Sequence, residues 1–569
     1  MVSTAPNSVA YRFLTGLSER GVRHIFANAG TDFAPLIEAE LLGRQHNAAM
    51  PRFINVPHEH TAVTVAHGAH LVDGQPQVVG VHHTVGTANT LSAVMTAARE
   101  RIPLLLFAGR TPSTEQGHIG SRDVVVHWGT DTFDQAGMLR EYTKWDHELR
   151  EGQNIEDILD RALDIALSEP CGPVYLTLPR EVLSGNPAFK AIPGRRRTGS
   201  HGAAPDHDAI EHVTDWLLES DHPVIVTSSA GRDPSIPEIL AQFAEQAAVP
   251  VVEHYPRAVN LSSKHPFHAG FDPSGLVAEA DLVIVLDCEV PWIPRTVAPH
   301  AHARIVHIGV DPLYARIPVR SFPVDSSITG RPAAALRMMA ESLRRKCNID
   351  TSSMARRREQ AQSEAIHRAD SNPAATCPAP DDRIDAAELS ASLGRLIDND
   401  MIVLNEYGLQ LESLGLTKAG TFFSAGISGA LGWTVAAAIG VQMAALDKTV
   451  IAVVGDGSYI FGNPVSCHYL AQAEQLPIIT IVVNNAGYAA VSRAVESVYP
   501  NGLAAKTSDI PLASFHPQPS YEGVASACGA YAERVETRQQ LHDSLTHAIQ
   551  IARRERRQVL LNVICNPTS

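Results

Sequence analysis

The stretch Ile451–Asn485, IAVVGDGSYIFGNPVSCHYLAQAEQLPIITIVVNN, decides how this chain is read. Its first part, IAVVGDG, is an apolar run of strand type ending in a turn, where glycines let backbone approach a phosphate and Asp456 can reach a metal. Its last part, PIITIVVNN, is a β-branched strand ending in two amides, with Ala486 and Gly487 beyond it to turn the chain and offer a carbonyl. The residues between, NPVSCHYLAQAEQL, have helical length. The unit predicts strand, helix, strand, with both polar sets at the carboxyl ends of neighbouring parallel strands. Magnesium takes about six oxygens in a near-regular octahedron and commonly draws several from phosphate and water, so one Asp, one Asn and one carbonyl suffice from the protein. Asp456, Asn485 and the Gly487 carbonyl are the expected ligands. Alone, GDG is a common surface turn and NN a common strand-end cap; the signal is their joint occurrence at this spacing.

The same grammar extends along the chain. Its 569 residues exceed a single core and suggest roughly three or four domains. Two polar stretches, Gly194 to Asp206 and about Thr351 to Asp382, divide it into expected domains over 1–190, 206–348 and 384–569. The first alternates strands HIFAN, VVGVHH, PLLLFAG and VYLTLP with helical runs TAVTVAHGAHLV and TLSAVMTAARE. The middle one repeats this with PVIVTSS, VPVVEHY, DLVIVLD and ARIVHIGVD, and the last with MIVLNE, TVIAVVGDG, IITIVVNN and VLLNVIC. Such alternation predicts an α/β chain of three doubly wound parallel-sheet domains, each covered by helices on both faces.

Composition narrows the function. A net charge of -15 and a pI near 5.9 disfavour a nucleic acid partner, and no Lys/Arg stripe with interleaved aromatics occurs. The start, MVSTAPNSVAYRF, has no basic segment followed by an apolar core, and no run of about 20 apolar residues occurs anywhere. No membrane partner is expected, and the chain reads as cytoplasmic. Its 7 cysteines are scattered without CxxC spacing, which suits reduced thiols and argues against a zinc site.

Three doubly wound domains with the GDG-to-NN unit in the last resemble the thiamin diphosphate-dependent decarboxylases and carboligases, a family that includes acetolactate synthase, pyruvate decarboxylase and benzoylformate decarboxylase. The resemblance covers nearly the whole chain. It implies a pyrimidine-binding first domain, a middle domain of altered role and a diphosphate-binding third domain. It also implies a cofactor held between the first domain of one subunit and the third of another, hence a homodimer or homotetramer. In that family a first-domain carboxylate faces the aminopyrimidine, and the segment NVPHEHTAVTVAHGAH supplies Glu59, opening a helix after a strand. A carboxylate hydrogen-bonded to the ring nitrogen favours the imino tautomer, whose nitrogen takes the thiazolium proton. Standing alone, Glu59 would equally be an acidic residue complementing a helix dipole. The segment ISGALGWTVAAAIG makes Leu431 the apolar support over which the cofactor bends, with Gly426 and Ser428 beside the pyrimidine. Gly455, Gly457 and Ser458 would meet the diphosphate, as would the NEYG turn through Gly408.

On the substrate side, VHHTVGTAN resembles the HxxxGTxN pattern of benzoylformate decarboxylase and sets His82 on the catalytic histidine. Strand alternation sends His82 and His83 to opposite faces, so only one is expected at the cofactor, and His83 stays a candidate substrate contact. The turn NAGTD resembles an NPGS-type turn, which puts Thr31 against substrate with Asp32 as the more polar neighbour. GYAAVSRAVESVYP offers Glu496 as proton donor or base and Tyr488 as a substrate contact; a solvated helix face accounts for Glu496 equally well. Two departures stand out. DCEVPWIP carries Trp292, a candidate substrate contact, and no histidine where benzoylformate decarboxylase brings a second histidine from its middle domain, and HTVG replaces the SGPG-type glycines of acetolactate synthases. No GxGxxG follows a strand in the middle domain, so a dinucleotide has no motif there; ADP, coenzyme A or FAD stays open through the resemblance. The expected activity is a thiamin diphosphate- and Mg2+-dependent lyase acting beside a carbonyl, foremost a 2-oxo acid decarboxylase or carboligase. The alternatives are a 2-hydroxyacyl-CoA lyase and a non-catalytic cofactor-binding homologue, against which the joint presence of Glu59, Asp456 and Asn485 weighs.

Overall fold

The computed structural model describes residues 8–346, 352–370, 384–507 and 510–565. Three parallel sheets follow one another along the chain. The first is built from β1 (His24–Asn28), β2 (Arg52–Asn55), β3 (Gln77–Val81), β4 (Leu104–Arg110), β5 (Asp146–Glu148) and β6 (Val174–Pro179), in the order β2-β1-β3-β4-β6-β5. The second holds β7 (Pro223–Thr227), β8 (Val251–Glu253), β9 (Leu282–Leu286), β10 (Arg304–Gly309) and β11 (Ser326–Thr329), in the order β11-β10-β9-β7-β8. The third holds β12 (Met401–Glu406), β13 (Phe422–Ser424), β14 (Thr449–Gly455), β15 (Ile479–Asn484), β16 (Tyr531–Val535) and β17 (Val559–Ile564), in the order β13-β12-β14-β15-β17-β16. The third sheet thus repeats the order of the first, strand for strand. Each parallel pair needs a crossover, and helices on both faces cover the central strands, which is why β3, β7 and β9 are buried throughout.

The expected α/β architecture is what the chain adopts, with local corrections. Ser352–Asp370, read as part of a polar divider, is a helix, and it packs on the second sheet's module. Met354 is buried there, and the Arg357 guanidinium donates to the carbonyls of Ser220 (2.8 Å) and Ala247 (3.1 Å). Residues 371–382 of that divider, Cys347 and Cys377 lie outside the described residues; the five described cysteines are free thiols. The helix expected over NPVSCHYLAQAEQL is Pro464–Ala473, and an unexpected second helix, Asp456–Phe461, precedes it, separated from it where Asn463 takes a left-handed φ of 53° ahead of Pro464. GDG is therefore more than a turn: Asp456 opens a helix. No helix among the described residues is long and apolar enough to cross a membrane.

The first and third modules share one hydrophobic core. Its centre is the crossing of helix Glu59–Asp73 on helix Trp433–Ala444, both buried over almost their whole surface. A Cβ on Gly68 would overlap the carbonyl oxygen of Ala437, and one on Gly440 would overlap that of Val65. The helices therefore touch main chain to main chain. Glu59 and Leu431 stand at or just before the amino ends of these two helices, so this crossing positions both.

Candidate active site

The carboxyl ends of β12, β14 and β15 form one rim of the cleft. Asp456 follows β14 directly and is 1% exposed. Its carboxylate accepts the backbone N–H groups of Gly457 and Gly487, each at 2.9 Å, and no cation pairs with it among the described residues. Burial lifts its pKa to about 6, against the opposing pull of these N–H bonds. The two asparagines after β15 divide their tasks. Asn484 is buried and donates to Asn562 Oδ1 at 3.1 Å, whereas Asn485 is half-buried and its Oδ1 accepts the Gly487 N–H at 3.2 Å. Ala486 between them and Gly487 has φ of 66°, which turns the chain back toward Asp456. The polar ends of Asp456, Asn485 and Gly487 are thereby gathered at one spot.

The walls of this rim come from neighbouring turns. Gly408 donates its N–H to Asn405 Oδ1 at 3.2 Å and lies over Val453 and Val483, while the Tyr407 carbonyl faces Gly455. Tyr488 lays its ring against Gly457, where any Cβ would strike it, and meets Phe515 edge-on at 4.9 Å. Ser458 is buried with its hydroxyl beside the Glu406 carboxylate. Glu406, which sequence reasoning passed over, ends β12 and accepts Gly432 N at 2.8 Å, Thr434 N at 2.9 Å and Thr434 Oγ1 at 3.0 Å. It caps helix Trp433–Ala444 and holds the segment that presents Leu431, half-buried between the left-handed Gly429 and Gly432. Gly426 and Ser428 lie against the first module: Gly426 abuts the Glu100 carboxylate, and Ser428 Oγ meets Thr96 Oγ1 at 2.8 Å.

The first module carries the other polar group. Glu59 is half-buried at the start of its helix and accepts the Asn89 side-chain amide at 2.6 Å. Asn89 is the closing residue of the HxxxGTxN pattern, so the pattern that flagged His82 also supplies Glu59 with its partner. Thr87 of the same pattern bonds Tyr175 OH at 2.7 Å. His82 follows β3 and places Nδ1 2.5 Å from Asp32 Oδ1. The expectation that His82 and His83 face opposite ways fails: their rings lie 3.4 Å apart, because β3 ends at Val81 and His83 opens helix His83–Arg99, where strand alternation no longer applies. His83 is buried, and burial together with the charge of His82 pushes its pKa down to about 4. Thr31 is exposed, whereas Asp32 is buried against His82.

Two further candidates differ in exposure. Trp292 is 2% exposed and packs edge-on against Phe322 at 5.2 Å inside the second module's core, so it cannot meet a substrate. Glu496 is exposed on helix Ala489–Val498, which buries none of its residues in this chain. The middle module's switch point, between β7 and β9, is met from its own module and from the first. The Gly231 N–H is taken by Asn260 Oδ1 at 2.7 Å, and Arg232 is paired with Glu100. The Gly231 N–H is thereby already engaged and is not open to a phosphate.

Two cleft rims at the carboxyl ends of sheets with the same strand order, one with Glu59 and one with a metal-type oxygen set, define the class of a thiamin diphosphate enzyme. The chain belongs to the thiamine pyrophosphate enzyme family: the N-terminal TPP binding domain matches residues 8–138, the central domain 210–339 and the C-terminal TPP binding domain 407–563. It is 24% identical over 561 residues to the acetolactate synthase large subunit of Lactococcus lactis, covering 95% of this chain and 90% of the relative. It is 23% identical to benzoylformate decarboxylase of Pseudomonas aeruginosa, covering 94% and 95%. A thiamine diphosphate-dependent 4-hydroxybenzoylformate decarboxylase of Rhodococcus jostii RHA1 has the same fold, with a TM-score of 0.78 at 20% identity over 98% of this chain and 99% of that one.

Proposed function

We propose that this chain is a thiamin diphosphate- and magnesium-dependent carbon–carbon lyase that decarboxylates a 2-oxo acid or joins the product to a second carbonyl. The observation that carries the reading is Asp456, a buried carboxylate with backbone donors and no cation, beside an amide and a carbonyl that suit a hard metal. No cluster of three or more His, Cys, Asp or Glu side chains is gathered among the described residues, which fits a metal drawing its remaining ligands from a diphosphate and water. The residues present fit the cofactor. When bound, it supplies an acidic thiazolium carbon that adds to a carbonyl and accepts the electron pair released as the neighbouring bond breaks.

Each residue then has a task. Asp456, Asn485 and the Gly487 carbonyl hold magnesium; Gly408, Gly455, Gly457 and Ser458 surround the diphosphate; Leu431 supports the bend. Glu59 holds a proton at the aminopyrimidine nitrogen. His82 exchanges a proton with substrate, with Tyr488 and Thr31 as walls. Among the described residues no hydrogen bond joins Glu59 to Asp456 or Asn485, and exposed apolar side chains, among them Phe133, Trp128, Val498 and Leu503, await cover. A second copy of the chain meets both needs by completing the site from two subunits, and Glu496 then acts from the covered helix.

A second reading, the 2-hydroxyacyl-CoA lyase, is favoured by a cavity of about 270 Å³ between the first two modules, where Arg99, Arg101, Lys144 and Arg316 outnumber the acidic Glu141, Glu289 and Asp311 in the lining. The experiment is incubation of the holoenzyme with a panel of 2-oxo acids, acyloins and 2-hydroxyacyl-CoAs, with products identified by mass spectrometry. Carbon dioxide or acyloin formed from a 2-oxo acid is expected. Turnover confined to the CoA thioesters overturns the first reading in favour of the second.

A further inference from the structure

We infer that Asp32 is a positioning residue that fixes the tautomer of His82, so that His82 turns a bare Nε2 to the cleft above the first sheet. The inference rests on the reading of His82 as the group that exchanges a proton with substrate. Asp32 lies in the turn after β1 and His82 directly follows β3, two adjacent strands at the point where the first sheet's order reverses. Asp32 uses both oxygens: Oδ1 lies 2.5 Å from His82 Nδ1, and Oδ2 accepts the His83 backbone N–H at 3.1 Å. An ionised carboxylate only accepts, so the hydrogen between Asp32 and His82 belongs to Nδ1, and the neutral ring then carries its lone pair at Nε2. Nε2 has no hydrogen-bond partner among the described residues, and the side chain keeps 19% exposure.

The pair sits in a fitted cradle. A Cβ on Gly30 would overlap His82 Nδ1, and a Cβ on Gly109 would overlap Asp32 Oδ2. The Gly109 carbonyl is itself held by Gln135 Nε2 at 2.8 Å. Two bare backbone positions thus hold the ring and the carboxylate in register. The neighbouring titratable groups do not duplicate His82. The buried His83 ring has neither nitrogen hydrogen-bonded, His127 is buried, and Asp131 is paired with Arg122 and Arg110.

Asp32→Asn discriminates. Its amide offers one oxygen to two donors. The buried His83 N–H takes that oxygen, because an unpaired buried backbone donor is costly; the NH2 group then faces Nδ1, and His82 must carry its hydrogen at Nε2. A misplaced histidine hydrogen leaves the geometry intact and removes the base.

The test is neutron diffraction from crystals of the full chain at mildly alkaline pD. Deuterium on His82 Nδ1 in the wild type and on Nε2 in Asp32→Asn is expected; deuterium on Nε2 in the wild type overturns the inference. In parallel, the wild-type and variant holoenzymes are compared for exchange of the thiamin diphosphate C2 hydrogen with deuterium oxide, a reaction assigned to Glu59, and for kcat and KM with benzoylformate as probe. Exchange should be unchanged and kcat should fall on the order of 10²-fold with little change in KM. Gly109→Ala, which displaces the carboxylate without altering any titratable group, should lower kcat in the same direction. An unchanged kcat in Asp32→Asn overturns the inference. Absence of C2 exchange in the wild type sinks the thiamin diphosphate reading instead, while the neutron maps still decide the tautomer.

Discussion

Asn89 donates its side-chain amide to Glu59 at 2.6 Å, tying the helix that follows His82 to the helix that Glu59 opens. A hydrogen bond to a charged acceptor contributes about 1.5–3 kcal/mol. Replacing Glu59 with Gln should leave thiamin diphosphate affinity near the wild-type value and slow C2 hydrogen exchange on the order of 10²-fold. Asn89→Ala should slow the same exchange by a smaller factor, through a carboxylate free to turn. Wild-type exchange in Glu59→Gln would remove Glu59 from the activation step.

Asp456 should be indispensable for metal-dependent binding. In Asp456→Ala the buried oxygens that receive Gly457 and Gly487 are gone, and calorimetry with thiamin diphosphate and magnesium should detect no metal-dependent binding. Circular dichroism checks that the fold persists. Wild-type affinity in this variant would contradict the metal assignment.

The seam between Gly68 and Gly440 should be intolerant of a single methyl group. Either Gly→Ala substitution drives a Cβ into the carbonyl oxygen of the facing helix, and overpacking of this kind costs about 1–3 kcal/mol. The expected readout is a lower urea midpoint at unchanged slope for Gly68→Ala, with loss of cofactor binding in Gly440→Ala, whose helix follows Leu431. A midpoint equal to wild type would show that the helices can part at little cost.

Acid should weaken the fold in a defined window. His60, His83 and His307 each have their pKa pushed down to about 4, first by burial and then by the neighbouring charge of His58, His82 and Arg320 respectively. In the unfolded chain these imidazoles take up protons near the ordinary value of about 6.5. Between roughly pH 6.5 and 4 the unfolded state therefore binds more protons, and stability falls as pH falls. Urea midpoints measured across that range should drop steadily, and His307→Gln should flatten the slope. A constant midpoint would contradict neutral burial of these rings.

The central strands were legible because burial on both faces writes them as unbroken apolar runs, as in LVIVL of β9 and VIAVV of β14. The edge strands β5, β11, β13 and β16 were not, since one side lies open and their composition is mixed. Helix Ser352–Asp370 escaped because its arginines read as a solvated divider, whereas Arg357 is buried on carbonyls that only the fold brings near. At the site, Asp456 and Asn485 announced themselves through local spacing. Asn89 stood in plain view within a quoted pattern, but its partner lies 30 residues away and on another helix. Trp292 was misassigned because position along the chain says nothing of which face of a turn a side chain takes.

The contacts of Gly68 with Ala437 and of Gly440 with Val65 make the spacing of the two half-sites that one chain carries a property of bare main chain. The residues that would face a substrate, around Thr31, His82 and Tyr488, sit instead on loops and strand ends that can be rewritten without disturbing that spacing. Selectivity and activation geometry are thus separable variables in this chain: a redesign can change what the cleft admits while the instrument that opens the cofactor keeps its calibration.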